Sequence, residues 1–293
     1  MNKNCVFLLT ALLTIICCCS KPVDNGNALW LPEGDPKVNA EVVVDESLDL
    51  INDGFMIKDT PEGRKIMAKT EIGALYGTYA LQRLERTGKA GGTLDIREEP
   101  SYERRILNHW DNLDNTVERG YAGWSIWGEP VPVELIKEYS RLNASIGING
   151  SVLNNVNATP EMLSREKLER VAEIADIMRP YGVRVYLSVN FSSPAQLGGL
   201  PDSDPLRPEV QKWWADKVAE IYGLIPDFGG FLVKANSEGL PGPQDFGRTH
   251  ADGANMLADA LKPFDGIVMW RAFVYSPKSS DRACQAYDEF APL

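Results

Sequence analysis

Aromatic rings, amides, carboxylates and cations concentrate in five short stretches of this sequence. The first holds His109, Trp110, Asp111 and Asn112, the second Asn154, Asn155 and Asn157, and the third Asn190, Phe191 and Ser192. The fourth, 234–238, runs from Lys234 to Glu238, and the fifth, 270–275, begins with Trp270 and Arg271. Gathered at one mouth, such a set suits a sugar, because C–H faces stack on rings while hydroxyls need fixed donors and acceptors. Asparagine-rich loops also arise from turn preference alone, so the residue types leave a carbohydrate site and a set of ordinary turns both open. His109 and His250 are the only histidines. Neither has partners at metal-ligand spacing, so each reads as a hydrogen-bonding or core residue, and no metal or other cofactor is expected.

Each stretch follows an apolar run, and the runs recur with a regular period. From Arg104 onward, strand-like and amphipathic helical patterns alternate at roughly 35 to 40 residues, the signature of parallel βα units. Strands are expected at 105–110, 147–153, 183–189, 230–234 and 266–273, with helices at 133–142, 165–178, 208–224 and 251–261 and another beginning near Asp281. An α/β chain of this kind is either a doubly wound sheet or a (β/α)8 barrel. No glycine fingerprint for a dinucleotide follows the first strand, and polar residues follow the C-terminal end of every strand, where barrel sites are built, so the barrel is favoured. A complete barrel has eight units, so the expectation is a partial (β/α)8 TIM barrel of about five, whose open edge and apolar face would need cover. Trp213 and Trp214, on the third helix, are expected to pack rather than to form a sugar platform.

Upstream, short strands at 42–44 and 55–58 and a helix over 70–86 closed by Gly88 form a small α/β unit, with a boundary near Gly91, Gly92 and Pro100. The expected organisation is a signal peptide over 1–19, a tether and small N-terminal α/β domain over 20–100, and the first part of the barrel over 101–293. Lys3 followed by the apolar run 6–16 reads as an export signal too short to span a bilayer. Cys17, Cys18, Cys19 and Ser20 resemble a bacterial lipoprotein processing site, with a plain cleaved signal as the alternative. The protein is thus expected in the periplasm or at the outer membrane, touching lipid only through an anchor. Beyond that segment only Cys284 remains, so stability must come from core burial. The chain has 293 residues, with 30 Lys and Arg against 41 Asp and Glu, a formal charge of -11. That balance argues against nucleic acid, since phosphate contacts need clustered basic groups. It does not exclude an anionic substrate, which a few buried cations can hold.

Five segments carry a specific resemblance: Asn108-His-Trp-Asp-Asn-Leu-Asp114, Gly147-Ile-Asn-Gly-Ser-Val-Leu-Asn-Asn-Val-Asn157, Val233-Lys-Ala-Asn-Ser-Glu-Gly-Leu-Pro-Gly-Pro243, Gly247-Arg-Thr-His-Ala-Asp-Gly-Ala-Asn255 and Trp270-Arg-Ala-Phe-Val-Tyr275. They resemble glycoside hydrolase family 67, nearly continuously from Asp53 onward. The resemblance implies an α-glucuronidase that releases (4-O-methyl-)D-glucuronic acid, α-1,2-linked to glucuronoxylan-derived xylo-oligosaccharides, with inversion. It also implies an N-terminal α/β domain, a central (β/α)8 barrel and a C-terminal helical dimerisation domain.

Residue by residue, the resemblance makes Glu238 the general acid, a role that requires a raised carboxyl pKa. Lys234 and Arg271 match positions that hold the uronic acid; their structural alternative is an ion pair at a barrel rim. Arg271 suits the role because a planar guanidinium meets a carboxylate bidentately. Trp110 is expected to wall the sugar or to pack in the core. Asn155 and Val156 fall where the family shapes the pocket near the 4-position, and a Val there leaves room for a methyl ether. Asp111, Asp114 and Arg248 could touch a ligand or merely fix loops.

The resemblance also has departures. An inverting glycosidase needs a second carboxylate to activate water, and the family carries an Asp and a Glu for this on later strands; Asp281, Asp288 and Glu289 read as helical and on the wrong side to substitute. The region before Asp53 is shorter than usual, and the family's dimerisation domain has no counterpart. The expectation is therefore the N-terminal part of such an enzyme, which alone should hydrolyse a glucuronide poorly if at all, with a noncatalytic lipid-anchored sugar-binding or interaction protein as the alternative.

Overall fold

The computed structural model describes residues 34, 36–116, 124–237 and 239–271 and the single positions 281, 284 and 287. The expected signal and tether lie outside the described residues, as do Glu238 and all but isolated positions of the expected last helix.

The upstream unit comprises β1 (Glu41–Val44), β2 (Phe55–Thr60), β3 (Gly63–Ala68), α1 (Glu71–Arg86) and β4 (Asp95–Glu98). Its sheet order is β1-β3-β2-β4, antiparallel except for the β1–β3 pair. Two strands were expected here, and the structure corrects the count to four. β3 opens with Gly63, Arg64 and Lys65, and three of the four residues of β4 are charged, so neither shows the alternation that marks a half-buried strand. Backbone pairing to β2 places both, and the expected boundary near 91–100 therefore contains a strand. Helix α1 starts where Thr70 Oγ1 accepts from Gly73 N at 3.1 Å, an N-cap that satisfies one of the orphan amides. It ends at Thr87 and Gly88, whose φ of +69° is the left-handed turn that favours glycine. Ala74, Tyr79 and Leu81 of α1 pack on Phe55, Ile57, Ile66 and Ala68.

The second sheet is entirely parallel, in the order β5 (Ile106–Asp111), β6 (Gly150–Asn154), β7 (Arg184–Val189), β8 (Gly230–Val233) and β9 (Ile267–Trp270). The connections hold α2 (Val133–Ser145), α3 (Arg165–Met178), the short α4 (Ser193–Gln196), α5 (Pro208–Leu224) and α6 (His250–Leu261). Helices α3 and α5 coincide with their expected spans. Strand β6 begins three residues later than expected. Gly147, at φ +77°, and Ile148 instead close α2, donating to the Ala144 and Asn143 carbonyls at 2.9 and 3.0 Å.

Alternate strand residues face opposite sides. Leu153, Val185, Leu187, Val189, Phe231 and Val233 meet Val171, Ile174, Trp214, Val218, Ile221 and Leu257 of the helices in one large core. Val152, Tyr186 and Leu232 form a smaller cluster on the other side with Ile106, Ile267 and Met269. Both tryptophans of α5 pack: Trp214 is fully buried against Phe231, and Trp213 meets it edge-on. The two sheets are joined at Asp53, which accepts from Arg105 Nη2 at 2.6 Å and Asn149 Nδ2 at 3.1 Å at the N-terminal ends of β5 and β6.

Candidate functional site

The side of the parallel sheet away from the helices changes character along its strands. On β6 it runs from Val152 to Asn154, on β7 from Tyr186 through Ser188 to Asn190, on β8 from Leu232 to Lys234 and on β9 from Met269 to Arg271. The apolar cluster thus gives way to polar groups at the C-terminal ends.

Several of these groups are committed to structure. Asn154, buried, donates to the Ser188 carbonyl at 2.9 Å and accepts from its amide at 2.8 Å, so its side chain continues the β6–β7 ladder. Asn190 donates to the Ala158 carbonyl at 3.0 Å and accepts from Ser192 N at 2.9 Å. The fully buried Asp111 accepts from the amides of Asn112 and Ile126 at 2.8 and 2.7 Å. Asp114 accepts from Thr116, and Arg248 forms a bidentate pair with Asp204 at 2.9 to 3.0 Å, holding the Asp204 carboxyl below the usual carboxylate range. The groups left open by the sequence are therefore engaged in fixing loops. His109 packs on Trp124 and Tyr139, and His250 accepts from Trp270 Nε1 at 3.1 Å.

Four of the five described candidate residues, Trp110, Asn155, Val156 and Lys234, meet at the loop after β6. Trp110 has a φ of +60° where the β5–β6 register shifts, a bulge that re-aims the ring. The ring packs with Val152, Val156 and Tyr186, and its Nε1 donates to Asn155 Oδ1. The same oxygen accepts from Asn157 N at 2.9 Å, while Asn155 N donates to the Asp111 carbonyl at 2.7 Å. Val156 is buried. Lys234 is only 2% exposed, and its Nζ donates to Asn157 Oδ1 at 2.6 Å. Arg271 follows β9, where its amide donates to the Val233 carbonyl at 3.0 Å, and its Nη1 is buried with no hydrogen-bond partner among the described residues.

The Asn157 contact spans 77 residues of sequence, so no local spacing could have paired it with Lys234. A cavity of about 420 Å³ opens beside this loop, lined by Asp111, Asn112, Asp114, Asn155, Asn157 and Glu161 among others. Glu238 follows Asn236 and Ser237 and precedes Gly239. Asn236 and Gly239 have φ of +49° and +81°, and Ser237 bridges to Leu240.

Residues 84–293 match the glycosyl hydrolase family 67 middle domain. The chain belongs to glycosyl hydrolase family 67. It is 45% identical over 251 residues to the probable alpha-glucuronidase A of Neosartorya fischeri, covering 82% of this chain and 30% of that protein. To the probable alpha-glucuronidase A of Aspergillus clavatus it is 46% identical over 256 residues, 84% of this chain and 30% of that protein. To the alpha-glucuronidase A of Emericella nidulans it is 45% identical over 290 residues, 92% of this chain and 34% of that protein. The chain therefore spans about a third of the length of these curated relatives. The matched span begins within α1 and takes in the whole parallel sheet and every described candidate residue.

Proposed function

We propose that this chain forms the uronic-acid-gripping part of an α-glucuronidase that cleaves the α-1,2 bond between (4-O-methyl-)D-glucuronic acid and a xylo-oligosaccharide. One observation carries the reading: Lys234 and Arg271 directly follow the paired residues Val233 and Trp270 of adjacent parallel strands, and Arg271 has a buried guanidinium nitrogen with no hydrogen-bond partner among the described residues. Leaving such a donor unsatisfied costs on the order of 1–3 kcal/mol, and a sugar carboxylate would satisfy it. Two cations for one carboxylate also explain selection of a uronic acid over a neutral sugar.

The sheet is read as part of a (β/α)8 barrel. Its strands keep sequence order without a switch point, and the helical core lies on one side only, whereas a doubly wound sheet carries helices on both. In this reading 20–100 hold a tether and an N-terminal α/β domain, and 101–293 begin the catalytic domain. Trp110 walls the sugar, and Asn155 and Val156 shape the space at its 4-position. Glu238 protonates the glycosidic oxygen as the xylose leaves. A second carboxylate, about 6.5–9.5 Å away on the opposite face of the ring, activates the water that attacks with inversion. The family resemblance assigns that base to later strands. Export and a lipid anchor near Cys18 or Cys19 belong to the same proposal and rest on the charge and apolar pattern of the first twenty residues.

The test is Glu238→Gln in the full-length protein. Turnover of xylo-oligosaccharide glucuronides should fall by about a hundred- to ten-thousand-fold, and far less for aryl glucuronides whose leaving group needs no proton. Equal, small losses on both substrates would remove Glu238 from the acid role.

A further inference from the structure

We infer that Asn157 is a positioning residue for uronate recognition, orienting the Lys234 ammonium; the inference rests on the α-glucuronidase reading. Asn157 Oδ1 lies 2.6 Å from Lys234 Nζ, and Lys234 is nearly fully buried. An ammonium on a four-carbon stem points nowhere in particular unless something holds it. The Asn157 amide oxygen is neutral, so this bond orients the ammonium without itself cancelling charge. A carboxylate at the same place would neutralise the lysine and repel an incoming uronate.

Asn157 and the residues on either side of it in the loop are held in turn. The Asn157 amide donates at 2.9 Å to Asn155 Oδ1, the oxygen that also receives Trp110 Nε1. Asn155 N is tied to the Asp111 carbonyl at 2.7 Å, and Asn190 holds the Ala158 carbonyl at 3.0 Å. One asparagine-rich loop thereby references the cation of β8 to the ends of β5, β6 and β7. The ring expected to wall the sugar and the cation expected to grip its carboxylate are set relative to each other through Asn155 and Asn157. A displacement of Asn157 would move the cation out of register with the ring, so its effect should appear in charge selectivity more than in stability.

The experiment compares binding of D-glucuronic acid with binding of its uncharged isostere D-glucuronamide. Titration calorimetry is run on the unsubstituted chain, Asn157→Ala, Asn157→Asp, Lys234→Ala and the double variant Asn157→Ala/Lys234→Ala. Asn157→Ala should reduce the acid-over-amide preference by about five- to tenfold. Asn157→Asp, nearly isosteric, should abolish that preference and carries the test if the alanine variant loses its cooperative thermal transition. In the Lys234→Ala background, Asn157→Ala should change the preference no further, which a merely structural asparagine would not do. A preference that survives both Asn157 substitutions would overturn this inference and leave the uronate reading intact. Equal binding of the two ligands by the unsubstituted chain would overturn the uronate reading and this inference with it.

Discussion

Lys234 and Arg271 stand opposite each other just past the end of one parallel ladder: Val233 pairs with Trp270, and the residue after each is the cation. Neighbouring strands stand about 4.8 Å apart, so the two stems rise side by side while their head groups remain chemically distinct. Arg271→Lys keeps both charges but removes the planar fork. It should weaken glucuronate binding by about tenfold while leaving binding of neutral sugars unchanged, as read by calorimetry. Equal weakening of both ligands would show a packing effect instead.

The helical core gives a second prediction. Trp214 is fully buried between α5 and β8, against Phe231, whereas Trp213 beside it is partly buried. Trp214→Ala should cost about 3–5 kcal/mol of unfolding free energy. Trp213→Ala should cost clearly less in the same urea titration; the reverse order would mean that the face of α5 is misassigned.

Close approach at α6 gives a third. A Cβ on Gly253 would lie 2.8 Å from the Trp270 ring and 3.1 Å from Phe191, with Pro243 closer still. Gly253→Ala should therefore destabilise the protein by about 1–3 kcal/mol through overpacking, despite alanine's better helix propensity. Because Trp270 precedes Arg271, glucuronate affinity should fall with it. A gain in melting temperature would contradict the packing described.

Acid stability gives a fourth. Arg64 binds Asp59 bidentately at 2.7 and 2.9 Å and the Leu94 amide adds a third bond, which together hold the Asp59 carboxyl down to about 2 from 3.8. A depressed native pKa favours the charged native form. Its contribution is complete above the unfolded value near 3.8 and is lost as pH falls from there toward about 2. Asp59→Asn should flatten the pH dependence of unfolding free energy within that window and leave it unchanged above pH 5. A wild-type slope in the variant would point to other carboxylates.

Long, periodic elements were legible in the sequence because burial imposes their pattern. Val171, Ile174 and Met178 recur at helical spacing, and α3 and α5 lie where that spacing places them. β3 and β4 were missed because charged residues interrupt their apolar pattern: Arg64 and Lys65 precede the buried Ile66 and Ala68 of β3, and β4 has only Ile96 between charges. The start of β6 was misread because Ile148 looks like a strand residue, yet its amide serves the end of α2. In the site, residue types announced a polar mouth. They could not distinguish Asn154, spent on the sheet ladder, from Asn157, aimed at a lysine two strands away, because that difference depends on register and not on composition.

The central claim is that Lys234 and Arg271 together receive a sugar carboxylate. The most direct measurement follows the side-chain Nε–Hε resonance of Arg271, assigned by comparison with Arg271→Lys, while the protein is titrated with glucuronic acid and separately with glucose. A saturable shift with glucuronic acid that is absent with glucose, and strongly reduced in Lys234→Ala, is the predicted result. No shift with either sugar, or the same shift with both, would contradict the account.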